Sequence, residues 1–126
     1  RSRGTCRIMD MREDKKRIKD ILVLKNCHEV YFIKIDDIYF IEKENKKTVV
    51  HTTNGIYATA EPLNAVGQKL NHNFFRCHKS FIINIREIER VFPIADRIYQ
   101  VTFNNYQRHV TMGRQKLEEL YSLIAE

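Results

Sequence analysis

The chain has 126 residues, 22 Lys/Arg against 16 Asp/Glu for a net charge of +6, and 43% apolar residues. That length fits one domain able to bury roughly two-thirds of its unfolded surface. The apolar runs are too short to span a membrane, and the N-terminus lacks the apolar segment of a signal peptide, so a soluble, cytoplasmic protein is expected. Cys6, Cys27 and Cys77 are odd in number and widely spaced, with no C-x-x-C pair, which argues against a disulfide framework or zinc knuckle and for a reducing compartment.

Residues 1–20 hold 8 Lys/Arg and 4 Asp/Glu, whereas residues 21–126 hold 14 and 12. The first segment reads as a basic linker, tail or tag-derived stretch, with Ile8, Met11 and Ile18 near helical spacing and Glu13 four residues before Arg17. A tail that touches phosphates is the sharper reading, since nonspecific contact needs only positive charge. The folded body, 21–126, is nearly balanced, so any basic face there must come from local clustering.

From residue 21 the chain becomes a series of short β-rich runs at 21–24, 30–35, 38–41, 48–53 and 56–59, a spacing typical of β-dominated folds. Asn26 to Glu29 and Asp36-Asp37 supply turn chemistry. Asn54-Gly55 predicts a tight hairpin with positive φ at both central positions, and the polar run at 42–47 predicts a protruding loop. Pro62 is expected to open a short helix with Leu63, Val66 and Leu70 on one face, weakened by Gly67. Residues 74–85, FFRCHKSFIINI, set Arg76, His78 and Lys79 inside an aromatic and β-branched run. Phe75, Phe81, Ile83 and Ile85 should anchor that backbone while the turn at His78 and Lys79 is pushed outward. A strand at 88–92 is expected to end at Pro93. Tyr99, Val101 and Phe103 alternate with polar residues as in a half-buried strand, 108–112 pairs back, and Gly113 precedes a terminal helix with Leu117, Leu120, Tyr121 and Ile124 on one face.

Local spacing announces no enzyme: there is no H-E-x-x-H, no G-x-S-x-G and no phosphate-cradling glycine loop among four glycines. The five histidines lack ligand spacing, so no metal and no cofactor are expected. Cys77 lies beside three cationic or imidazole side chains, which could favour a reactive thiolate; a buried inert thiol is the simpler reading. Three basic clusters lie at strand ends or turns: Lys43, Lys46 and Lys47; Arg76, His78 and Lys79; Arg108, His109, Arg114 and Lys116. Loops on a β scaffold can reach phosphates with Lys and base edges with Arg or Asn. Merely solvated charge in a protein-interaction or sensory domain remains an alternative, as does a β-rich RNA-binding module, which would want exposed aromatics for stacking.

The order D-D-I-Y-F-I-E at 36–42, a polar loop, V-V-H-T-T-N-G at 49–55, a short helix, F-F-R-C-H-K-S-F-I-I-N-I at 74–85, I-E-R-V at 88–91 and a closing basic-helix segment resembles the LytTR DNA-binding domain. That module is the C-terminal output domain of many bacterial two-component response regulators. The resemblance covers about residues 21–123, and its most specific block is F-x-R-x-H-x-S-x-x-x-N. It implies a mostly β fold of small stacked antiparallel sheets with short helices, including a C-terminal one. It further implies sequence-specific binding of double-stranded DNA by loops that enter successive major grooves and bend the duplex. Carried over by position, the DNA-binding residues are Lys46, Lys47, Thr48, His78, Lys79 and Arg114, with His78 equally able to order its own loop; the basic clusters themselves offer Lys43, Arg76, Arg108 and Lys116 as further phosphate contacts. Arg76, Ser80 and Asn84 are also expected to tie the block's own backbone. Two departures stand out. Lys79 replaces the usual Arg or Asn with a point charge less suited to bidentate base reading, and Ala60-Glu61-Pro62 replaces a commonly basic stretch, predicting a weaker edge to the DNA face. The resemblance also implies a receiver domain or other regulatory module upstream, not present in this chain, and a place at the bacterial nucleoid; pairing of monomers on repeated half-sites stays open at the level of sequence.

Overall fold

The computed structural model describes residues 20–124. The tail expected at the N-terminus lies outside them, except for Asp20. The elements are β1 (Ile21–Asn26), β2 (Glu29–Lys34), a 3-10 turn (Ile35–Asp37), β3 (Ile38–Glu44), β4 (Lys47–Thr52), β5 (Gly55–Thr59), α1 (Leu63–Gly67), β6 (Phe74–His78), β7 (Phe81–Asn84), a second 3-10 turn (Ile85–Glu87), β8 (Ile88–Ala95), β9 (Ile98–Phe103), β10 (His109–Gly113) and α2 (Arg114–Ile124). They form a central five-stranded sheet in the order β5-β4-β3-β7-β6, a two-stranded β1-β2 hairpin, and a three-stranded sheet in the order β10-β9-β8, all antiparallel.

The period-2 alternation of strand side chains explains why the middle sheet is covered on both faces. Ile41 and Val50, with Ile82 of β7, point to one side, where they pack with Leu22, Leu24 and Ile33 of the hairpin and Leu63 and Val66 of α1. Phe40 and Ile83 point to the other side and meet Val101, Phe103, Val110 and Met112 of the second sheet and Leu117 and Leu120 of α2. Each such aliphatic side chain, fully buried, contributes roughly 1.5–3 kcal/mol of transfer free energy. The 74–85 block is central to both cores: Ile82 serves one, Phe81 and Ile83 the other.

Several local expectations are corrected. The loop at 42–47 shrinks to a two-residue turn, because Asn45 adopts the left-handed region at φ 60° and lets Glu44 pair with Lys47. At the next hairpin only Gly55 has positive φ, at 147°, and it pairs with Thr52, so Thr53-Asn54 is the connection. The Thr52 hydroxyl holds that turn by donating to the Gly55 carbonyl at 2.8 Å and accepting from the Asn54 N–H at 3.1 Å. Pro93 does not end β8. It lies on the edge strand opposite Tyr99, beside a register shift, where a missing ladder donor is tolerated. Pro62 sits just before α1 as its N-cap. Gly67 has a packing reason, since a Cβ there would stand 3.0 Å from Ile82 Cδ1. On α2 only Leu117 and Leu120 are buried, while Tyr121 and Ile124 remain exposed.

Candidate nucleic-acid interface

Strand order brings two basic turns together. Because β3 and β7 are antiparallel neighbours with Glu42 opposite Phe81, the β3–β4 turn and the β6–β7 turn leave the sheet at the same end. The Lys43 N–H donates to the Ser80 carbonyl at 2.9 Å and fixes their spacing. Between them opens a cleft of about 370 Å³ lined by Lys43, Asn45, Lys46, Lys47, Arg76 and Lys79, together with Pro62, Leu63 and Asn64 at the start of α1. Among the described residues, no ion pair or side-chain hydrogen bond ties down the ammonium groups of Lys43, Lys46, Lys47 or Lys79.

The remaining residues of the two turns serve geometry. Arg76 donates through Nε to the His78 carbonyl at 2.9 Å, through Nη2 to the Lys79 carbonyl at 2.6 Å and through Nη1 to Asn64 Oδ1 at 2.6 Å. Its guanidinium thus braces the turn that carries Lys79 and couples it to α1. Asn84 is buried, donates to the Ile38 carbonyl at 2.9 Å and accepts from the Arg86 N–H at 3.1 Å. His78 Nδ1 accepts from the Ser80 N–H at 3.1 Å, so in that tautomer Nε2–H is the ring's one donor. Thr48 also lines the cleft, but at its floor. It is 1% exposed and its hydroxyl donates to the Glu61 carbonyl at 2.6 Å. The cause is register: Thr48 is a strand residue of β4, two positions past the Asn45-Lys46 turn, and its side chain faces inward.

Glu61 departs from expectation. Its carboxylate pairs with Lys69 at 2.6 Å and is approached by the Lys25 N–H at 3.5 Å, and the Lys69 hydrogen bond holds its pKa below the usual carboxylate value. The acidic charge is neutralised against β1 and does not line the cleft. Cys77 is buried with its thiol pushed up to about 12 by desolvation, despite the nearby Lys116 and Arg76 charges; a reactive thiolate is not supported there.

The third expected cluster does not assemble. Arg108 precedes β10 and Arg114 follows it, so at about 3.3 Å per residue the two stand roughly 20 Å apart along the strand. Arg114 lines a separate hollow with Arg97, Gly113, Gln115 and Glu118, and its Nε lies 3.6 Å from the Glu118 carboxylate. Lys116 pairs with Glu119 at 3.3 Å on the side of α2 whose charge reaches Cys77. His109 is exposed at the start of β10.

Sequence reasoning missed a polar cluster in the middle of the sheet. His51, 1% exposed, stacks on Phe40 with ring centroids 4.2 Å apart. Its Nε2 lies 2.7 Å from Glu42 Oε2 and its Nδ1 2.8 Å from the Tyr106 hydroxyl. Tyr106 in turn stacks on Tyr39 at 4.3 Å. Burial lowers the His51 pKa, and the Glu42 hydrogen bond and charge only partly offset that. Glu42 and His51 are 9 residues apart and Tyr106 is 55 further on. The one available signal was a histidine next to two valines in a strand, at a position that faces inward with Val49.

The model of the LytTR DNA-binding domain matches residues 28–125, and the chain belongs to that family. Over 97 residues it is 37% identical to the transcriptional regulatory protein LytR of Staphylococcus aureus, covering 76% of this chain and 39% of that protein. Over 109 residues it is 28% identical to the transcriptional regulatory protein YpdB of Escherichia coli, covering 86% of this chain and 45% of that one. The chain therefore spans less than half the length of these curated relatives. A solved LytTR DNA-binding domain of a putative methyl-accepting/DNA response regulator from Bacillus cereus superposes with a TM-score of 0.72 at 20% identity, over 85% of this chain and 98% of that one; at that identity it supports the fold, which is the mostly β one the resemblance implied. Among the described residues no helix is long and apolar enough to cross a membrane.

Proposed function

We propose that this chain is a sequence-specific double-stranded DNA-binding domain acting as the output module of a bacterial transcription regulator. The observation that carries the reading is the cleft in which two turns, more than thirty residues apart in sequence, present four lysines that no described carboxylate neutralises. Exposed lysines of this kind displace condensed counterions from a duplex and so bind in proportion to the phosphates they neutralise. Lys46 and Lys47 serve as phosphate contacts. Lys79, at the tip of the second turn, and the Nε2–H of His78 are placed to reach a groove, with Arg76 holding their backbone. Arg114, in its own hollow at the start of α2 beside the other sheet, gives a second point of attachment and invites a bend in the duplex between the two. Binding of RNA by base stacking is disfavoured because most ring side chains on the sheets are packed inside, Phe32 being the exposed exception on a strand.

The proposal extends to the regulator as a whole, with an upstream receiver or other regulatory module and pairing on repeated half-sites. Selection from a random duplex pool followed by anisotropy titration at two salt concentrations tests it. The wild type should enrich one motif and show a steep salt dependence. Lys46→Ala combined with Lys47→Ala should reduce the slope of log K against log salt by about two units while leaving the fold intact, and Lys79→Ala or Arg114→Ala should each weaken the specific complex by about 1–3 kcal/mol. A salt slope unchanged in the folded variants would show that the cleft is not the DNA face.

A further inference from the structure

The hydrogen-bonded chain Tyr106–His51–Glu42 has a direction. A carboxylate at Glu42 can only accept, so His51 Nε2 carries the proton it donates, and in the neutral ring that burial favours His51 Nδ1 accepts from the Tyr106 hydroxyl. It links two strands of the central sheet to a turn of the other sheet: Glu42 lies on β3, His51 on β4, and Tyr106 in the connection between β9 and β10. Burying such a polar chain is not the most stabilising way to fill the space, since apolar side chains of similar volume would avoid the desolvation cost. What polar groups add is a single permitted position for the segment they hold.

That segment has few other ties. Residues 104–108 leave the sheet after Phe103 with Asn105 in the left-handed region at φ 58°. The Asn104 N–H donates to the Glu87 carbonyl at 3.0 Å, and the Tyr106 N–H reaches the Phe103 carbonyl only at 3.4 Å. Beyond these, the ring of Tyr106 on Tyr39 and its hydroxyl on His51 fix the turn. Two residues later comes Arg108, exposed, with no described carboxylate in ion-pair contact. Glu42, Glu44 and Arg108 are the charged groups whose fields reach His51, and Arg108 also acts on Tyr106.

We propose that Tyr106, His51 and Glu42 are positioning residues that hold the 104–108 turn so that Arg108 meets the phosphate backbone of bound duplex. The inference rests on the DNA-binding reading and deepens it: to the phosphate contact already expected of Arg108 it adds the side chains that aim it. Tyr106→Phe removes only the hydroxyl and keeps the ring on Tyr39. The measurement is a double-mutant cycle of anisotropy titrations on the selected duplex, with wild type, Tyr106→Phe, Arg108→Ala and the double variant, each first shown to be folded by circular dichroism.

Arg108→Ala should lower the salt slope by about one unit, and Tyr106→Phe should weaken binding about 3-fold, a loss within the range of one hydrogen bond. The double variant should be no weaker than Arg108→Ala alone, because an untethered turn has nothing left to misplace. Amide exchange at 104–108 should quicken in Tyr106→Phe while β9 and β10 stay protected. His51→Gln breaks the same chain from β4 and should repeat the non-additive pattern, so loss of fold in one variant leaves the other to decide. Tyr106→Phe binding as tightly as wild type, or losses that multiply in the double variant, would overturn the proposal. So would an unchanged slope in Arg108→Ala while wild type binds duplex normally. A wild type that binds no duplex at any salt would instead overturn the DNA reading beneath it.

Discussion

The central sheet carries two polar clusters of opposite character. At its end, Lys43, Lys46, Lys47 and Lys79 surround an open cleft with their ammonium groups held by no described partner. Next to Lys43 on β3 and four residues past Lys47 on β4, Glu42 and His51 join Tyr106 of the 104–108 connection, and the three satisfy one another inside an aromatic cage of Phe40 and Tyr39. Polar groups whose hydrogen bonds are completed internally stabilise or position the fold, whereas a charge left in water retains its capacity for an external partner. Changes in the enclosed cluster should therefore be read first in stability, and changes at the cleft in affinity and salt dependence alone.

The largest effect that could break this contrast is His51→Ala. It opens a cavity beside Phe40 and leaves Glu42 and the Tyr106 hydroxyl without their shared partner, so urea unfolding should show a loss of about 2–4 kcal/mol. If Lys46→Ala and Lys47→Ala cost as much, the cleft would be part of the architecture and the distinction would fail. Arg76 sharpens the contrast because it belongs to both sides: it lines the cleft, yet three of its donors are taken by the protein. Arg76→Ala should lower stability by about 1–2 kcal/mol and also weaken duplex binding by loosening the Lys79 turn; a variant altered in affinity alone would place Arg76 with the lysines.

The smallest effect is a pH dependence carried by His51. In the unfolded chain this histidine takes up its proton near pH 6.5, and in the fold only at a lower pH, because burial opposes the charge. The unfolded state then binds more protons between those two values. Stability is fully present above about pH 6.5 and is lost as pH falls toward the lowered folded value. Urea titrations at about pH 7.5 and about pH 5.5 should show this decline in wild type, and His51→Gln should show less of it. An equal decline in both would assign the effect to other groups.

Much of this was legible in the chain because it was local. Alternation at Tyr99, Val101 and Phe103 is a property of consecutive residues, and so is the mixture of apolar and basic groups at 74–85, which does form a hairpin with Lys79 at its tip. What was illegible depends on register and on which strands become neighbours. Thr48 looked like the last residue of a basic loop until Asn45 shortened that loop and turned the hydroxyl inward. Glu61 looked like a defect in a basic face until Lys69, eight residues away, took its charge. Arg108 and Arg114 looked like one cluster until a whole strand was laid between them. The Glu42–His51–Tyr106 chain needs contact between two sheets, which no spacing along the sequence announces.

The two turns at the cleft each contain only two residues between paired strands, Asn45-Lys46 and Lys79-Ser80. Turns that short cannot gain or lose a residue without shifting a register that buries Phe40, Ile82 and Ile83. Divergence at this end of the fold is thus confined to exchanging side chains at fixed points, one or two at a time. Side chains at these fixed points can be exchanged without touching the core that both turns share.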